Sequence, residues 1–224
     1  MPLEIELLPD AESVARRGAE IVASAAAEAV ADRGRFDFAV SGGRTPWVMF
    51  ADLAGKMPWE KTTIYQVDER IAPDGDPDRN LMQLQRALPP GGASDVRAMP
   101  VTFHDLEAAA ADYAAALPGS LDLVHLGLGP DGHTASLIPG DPVLDVTDRD
   151  VALTGEYQGR RRMTLTYPVL DRARRILWLV TGAEKAGMLV RLRAGDPSIP
   201  AGRVRQHRAL LLADRAAAAE PGAS

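Results

Sequence analysis

The 224-residue sequence contains no cysteine. That excludes disulfides, thiolate metal sites and a cysteine nucleophile. It has no basic excess either: 25 Lys and Arg stand against 31 Asp and Glu, a formal net charge of −6. This balance disfavours nucleic acid as a partner, yet it leaves room for a local basic pocket around a small anion. No run of about 18 apolar residues occurs, so no membrane span is expected. The opening MPLEIELLPD lacks the basic and apolar regions of a signal peptide, which points to the cytoplasm. Histidine is scarce. His104, His125, His133 and His207 are the only four, none of them paired at HxxxH spacing, so no metal is expected. With no internal repeat and no long linker, residues 1–224 read as one domain, with a frayed tail from about 215.

What is present alternates between strand and helix patterns. Residues 11–33 are Ala-rich, free of Pro and spaced for an amphipathic helix that Gly34 ends. FDFAV (36–40), TTIYQV (62–67), LDLVHL (121–126) and RILWLVT (175–181) read as strands. Val151–Leu153, Met163–Tyr167 and Ala209–Leu212 read as further strands. Helices are expected over Trp47–Leu53, about Arg79–Leu88, Asp105–Leu117 and Gly182–Arg193, with short turns of helix at Thr134–Leu137 and Pro200–Val204. Pro46 suits a first helical position with Thr45 as its N-cap. Residues 89–100 read as a Pro/Gly linker and 139–160 as mostly loop. The alternation implies an α/β, three-layer Rossmann-like fold with a mainly parallel sheet. In such sheets ligands bind at the carboxyl ends of strands. Three loops occupy such ends.

The first loop, Ser41-Gly42-Gly43-Arg44-Thr45-Pro46, follows a strand and opens a helix. Glycines let backbone N–H groups approach an anion, and the helix amino end favours negative charge. Phosphate is the expected ligand; a plain strand-to-helix turn is the bland alternative. The loop is neither a Walker A nor a GxGxxG motif, so a nucleotide is not favoured. The second, Asp68-Glu69-Arg70, is either a solvated charge run or a site in which Arg70 grips an anion and Asp68 orients a hydroxyl, a water or an imidazolium. The third, GLGPDGHTASLIPG (127–140), sets Asp131 and His133 two apart in a turn. His133 suits general-base work near neutral pH, and Asp131 suits holding its tautomer or binding substrate. The bland reading there is a capped helix start with an incidental histidine.

Taken together, SGGRTP, VDER with the later Asn80, GLGPDGHTASLIPG, RMTLTYPVL and TGAEKAGML resemble the 6-phosphogluconolactonase family of the glucosamine-6-phosphate isomerase/deaminase-like superfamily. The match runs in the family's order over residues 41–190, and DGHTASL is its most specific part. The resemblance implies a cofactor-free enzyme that hydrolyses 6-phospho-D-glucono-1,5-lactone to 6-phosphogluconate in the oxidative pentose phosphate pathway. It implies His133 as the base that activates water, with Asp68, Arg70 and Asp131 in the reaction centre. It implies a phosphate site of Ser41, Gly42, Gly43, Arg44 and Thr45, with Asn80, Lys185 and Arg162 rather than Arg161. Its partner would be a small phosphosugar lactone, with neither nucleic acid nor membrane. Related deaminases carry a glutamate after the turn, as in DGHIAFNEP; here that position is Ile138. A non-catalytic sugar-phosphate sensor is the other alternative, although the chain lacks a basic recognition helix.

Overall fold

Seven parallel strands form the central sheet of the computed structural model, which describes residues 3–93 and 95–219. In chain order the sheet strands are β1 (Glu4–Leu8), β2 (Phe36–Val40), β3 (Thr62–Gln66), β5 (Asp95–Arg97), β6 (Leu123–Leu126), β9 (Ile176–Val180) and β10 (Ala209–Asp214). Side by side they run β1-β10-β9-β6-β2-β3-β5. A smaller antiparallel sheet joins β4 (Asp68–Arg70) to β8 (Arg162–Leu165) and β8 to β7 (Val151–Leu153). The helices are α1 (Ala11–Arg33), α2 (Arg44–Asp52), α3 (Asn80–Ala87), α4 (Leu106–Ala116), α5 (Tyr167–Asp171), α6 (Ala186–Arg193) and α7 (Pro200–Arg203).

The central strands are apolar because both of their faces are covered. FDFAV of β2 and ILWLV of β9 are buried at every position. On one face, Val14, Val22, Met49, Phe50 and Leu84 from α1, α2 and α3 pack on Phe36, Phe38, Leu123 and Leu177. On the other, Tyr113, Leu170, Leu189 and the second sheet's Met163 and Leu165 pack on Val124, Leu126 and Trp178. Each large apolar side chain so buried contributes roughly 1.5–3 kcal/mol, far more than any local propensity at these positions. The α1 ends are set by local chemistry. Asp10 accepts the Ser13 N–H at 2.8 Å, and Gly34 closes the helix with φ 75°.

The three-layer α/β expectation holds, and several local expectations do not. No strand is expected from the sequence over β1, and β5 lies within the expected 89–100 linker, because a short half-buried edge needs little apolar sequence. Thr134–Leu137 is no helix but a tight turn closed by an antiparallel bridge, with Ala135 at φ 50°. The strand at RMTL stops at Leu165, and Pro168 lies in the first turn of α5 instead. Gly182–Arg193 splits into a 3-10 turn (Ala183–Lys185) and α6. Of the tail, Ala217 is packed, its N–H donating to Asp214 Oδ1 at 2.7 Å; residues 220–224 lie outside the described residues.

Strand order positions the site. From β2 the chain crosses to β3 and β5 on one side; from β6 it proceeds to β9 and β10 on the other. The loops leaving β2 and β6 therefore diverge, opening a crevice between them at their carboxyl ends.

Candidate active site

A cavity of about 270 Å³ fills this crevice. Its walls are the loop after β2 (Ser41–Pro46), the loop after β6 (Gly127–Pro130, His133 and Ala135) and the end of β9 with Thr181, Glu184 and Lys185. His125 of β6 also lines it. All five predicted loop residues, Ser41, Gly42, Gly43, Arg44 and Thr45, thus share one wall system with His133 and Lys185.

Gly43, with φ 137°, precedes α2, which starts at Arg44. Thr45 is therefore not the N-cap, and no side chain caps this helix. Its free amino end faces the cavity, as an anion site requires. Thr45 Oγ1 instead shares a hydrogen bond with Thr181 Oγ1 at 2.9 Å, tying the β2 and β9 loops together. A Cβ on Gly42 would lie 2.2 Å from Asn80 Oδ1, so a larger residue there must displace the Asn80 side chain from Arg70 and Asp68.

Asp131 and His133 meet directly. His133 Nδ1 lies 2.5 Å from Asp131 Oδ1, whose oxygen also accepts the His133 backbone N–H at 3.1 Å. Burial acts to raise the Asp131 pKa, but the facing imidazole, the backbone N–H and the Tyr157 hydroxyl outweigh it and hold the carboxyl below its ordinary value. An ionised carboxylate at Nδ1 makes that nitrogen the donor and leaves Nε2 with its lone pair. Tyr157 was not anticipated. Its hydroxyl donates to Asp131 Oδ2 at 2.9 Å, and its ring meets that of His133 edge-on with centroids 5.6 Å apart. The Arg162 guanidinium sits 5.0 Å above the same ring. A lone tyrosine in a loop-rich stretch carries no sequence signal for this; only the β7–β8 hairpin brings it to the turn.

Asp68, Arg70, Asn80 and Arg162 lie beside the cavity rather than among its lining residues. The buried Asp68 accepts Ser136 Oγ–H at 2.6 Å and Asn80 Nδ2–H at 3.3 Å. It joins the second loop to the third, and the group that orients His133 is Asp131. Arg70 donates to the Asp78 carbonyl at 2.5 Å and to Asn80 Oδ1 at 3.0 Å. Arg70 and Arg162 are register partners across β4 and β8. Arg162 is buried, its Nε without a partner among the described residues, whereas Arg161 is exposed. Burial lowers the Arg162 pKa, and neighbouring Arg70 lowers it further, while Asp68 opposes both. Two adjacent guanidiniums, one with an orphaned donor, form a natural seat for an anion. Glu69 is no surface charge. Fully buried, it accepts the N–H groups of Asn80 (2.7 Å) and Leu81 (2.8 Å), capping α3 from a distance.

Similarity to known proteins agrees with this geometry. Residues 9–212 match the model of the family described as glucosamine-6-phosphate isomerases/6-phosphogluconolactonase. A 6-phosphogluconolactonase of Nostoc sp. is 33% identical, with 98% of this chain and 99% of that protein covered. One from Mycobacterium tuberculosis is 35% identical with the same coverage, 98% and 99%. The crystal structure of 6-phosphogluconolactonase from Thermotoga maritima superposes with a TM-score of 0.83 at 25% identity, covering 94% of this chain and 98% of that one. The crevice at the β2/β6 switch, its uncapped helix end and its Asp–His turn are therefore features of a member of a known group: the chain belongs to the glucosamine-6-phosphate isomerase/6-phosphogluconolactonase family.

Proposed function

We propose that the chain hydrolyses 6-phospho-D-glucono-1,5-lactone to 6-phosphogluconate, the lactonase step of the oxidative pentose phosphate pathway, by direct attack of water. The observation that carries the mechanism is the 2.5 Å contact between Asp131 and His133 Nδ1, which leaves Nε2 as the base. His133 takes a proton from water as its oxygen attacks the lactone carbonyl. The tetrahedral intermediate then collapses, the ring C–O bond breaks, and the proton passes from His133 to the departing ring oxygen. The Ser41–Thr45 loop, the α2 amino end and Lys185 hold the phosphoryl group, supported by Asn80. Arg70 and Arg162 stabilise developing negative charge. Asp68 fixes the turn through Ser136. No cofactor, nucleic acid or membrane enters this scheme, and the cytoplasm is its setting; among the described residues no helix is long and apolar enough to cross a membrane.

Against deamination stands Ile138. The position that carries an acid in the deaminase pattern is here a hydrocarbon side chain, buried at 6% exposure, with no proton to give. The test is proton release from freshly generated 6-phosphogluconolactone beside ammonia release from glucosamine 6-phosphate. Turnover of the lactone is expected, and turnover of the amino sugar alone refutes the reading. His133→Ala is expected to lower kcat by about 10²- to 10⁴-fold with KM little changed; near-normal kcat would remove His133 from the role of base.

A further inference from the structure

His125 has no part in the scheme above, yet it is the most constrained histidine in the chain. It sits on the central strand β6, is 1% exposed and lines the cavity. Side chains alternate along a strand, so His125 shares the face of Leu123, which packs against α1 and α2. That is the face from which the amino end of α2 rises. The backbone N–H of Ser41, the first residue of the anion loop, donates to His125 Nδ1 at 3.3 Å. A lone pair accepting at Nδ1 requires the ring proton to be on Nε2. This Nε2–H is buried and has no acceptor among the described residues.

A central parallel strand favours Val, Ile or Leu at such a position. A histidine with an orphaned donor there is a cost to the fold, which an acceptor arriving with the ligand would offset. The ring is braced against Ser41, not against the Asp131–His133 turn, so the acceptor belongs to the group that the loop holds. We propose that His125 is a further ligand-binding residue, its Nε2–H donating to a phosphoryl oxygen on the floor of the cavity. This rests on the phosphosugar reading above. The contact adds direction where Lys185 and Arg44 add charge, and it does so without burying another cation beneath the sheet. Burial holds the imidazole neutral, its pKa pushed down to about 3, and no charged side chain is among the causes. The donor is therefore constant across the physiological range.

With four histidines in the chain, nitrogen-15 spectra of the uniformly labelled full-length protein resolve His125 directly. Expected are the Nε2–H tautomer, unchanged from about pH 8 to pH 5.5, and a downfield move of that proton on saturation with inorganic phosphate. His125→Asn supplies a second readout. Its Oδ1 can still accept the Ser41 N–H, while the Nε2 donor is gone. KM for the lactone is expected to rise about tenfold, with the loss in KM rather than in kcat. An Nδ1–H tautomer, an Nε2–H signal indifferent to phosphate, or an unchanged KM in His125→Asn would each overturn the assignment. Absence of lactone turnover in the unaltered protein would count against the lactonase reading instead, and the phosphate titration would still decide the His125 contact.

Discussion

Gly129 and His133 compete for one volume. A Cβ on Gly129 would lie 2.1 Å from His133 Nδ1, the atom that bonds to Asp131. The Gly129 N–H also donates to the His133 carbonyl at 2.8 Å, so the turn cannot simply open to make room. Gly129→Ala must therefore push the imidazole off Asp131. Misplacement of a reacting group by about 1 Å costs on the order of 10²-fold in rate. The expected outcome is a fall in kcat of about that size, with the urea midpoint nearly unchanged because the displaced ring borders open cavity. A Gly129→Ala protein with normal kcat would show that the Asp131–His133 contact is not needed. At this scale the sequence was informative where a residue type has few uses. His133, Asp131, the double glycine and Lys185 were all legible, and all reach the cavity or its rim. Tyr157 and His125 were not: a tyrosine in a loop and a histidine in a strand look like packing until the hairpin and the sheet are in place.

The DER segment shows what an element can hide. Read along the chain, two acids and an arginine form a charge run. Folded, they are β4, and all three side chains converge on Asn80 at the start of α3: Asp68 accepts its side-chain amide and also Ser136 Oγ–H, Glu69 accepts its backbone N–H, and Arg70 donates to its Oδ1. Glu69 also accepts Gln66 Nε2–H at 2.9 Å and faces Arg79 Nε at 3.6 Å. Glu69→Ala would leave the α3 amide donors without acceptors and the buried Arg79 short of a counter-charge. Removing one member of such a buried cluster costs roughly 3 kcal/mol. Urea unfolding should register that loss, and activity should fall with it, since α3 carries Asn80 to Gly42 and Arg70. A change below about 0.5 kcal/mol, the scale of an ordinary surface substitution, would return Glu69 to the status of a solvated charge. The same contrast explains which elements were legible. Strands buried on both faces announce themselves as apolar runs, as in FDFAV and RILWLVT. Strands such as β4 and β5 owe their existence to pairing partners far away in sequence, and Thr45 misled as a cap because its hydroxyl is claimed by Thr181 across the crevice.

At the scale of the molecule, one strand order places two demands on one point. The β2/β6 switch opens the crevice, and the strand at that switch must be both a core strand and the crevice floor. His125 meets both demands only while it is neutral. Its folded pKa, about 3, lies below the unfolded value of 6.5. The unfolded chain therefore takes up a proton first as pH falls, and acidification favours unfolding. The stability that the neutral His125 contributes is full above about pH 6.5 and declines toward pH 3 with a limiting slope of roughly 1.4 kcal/mol per pH unit. The Asp131 carboxyl adds a loss of its own, but only below the ordinary value of 3.8, through which its folded form is depressed. Between about pH 6 and pH 4.5 the difference between the unaltered protein and a variant without this imidazole isolates the histidine's share. Urea unfolding across that interval should show the decline in the unaltered protein and a flatter profile in His125→Asn, which has nothing to protonate at this position. Parallel profiles for the two proteins would mean that the imidazole is charged in the fold, and a charged ring at the centre of the sheet would leave Nδ1 unable to accept the Ser41 N–H that anchors the anion loop.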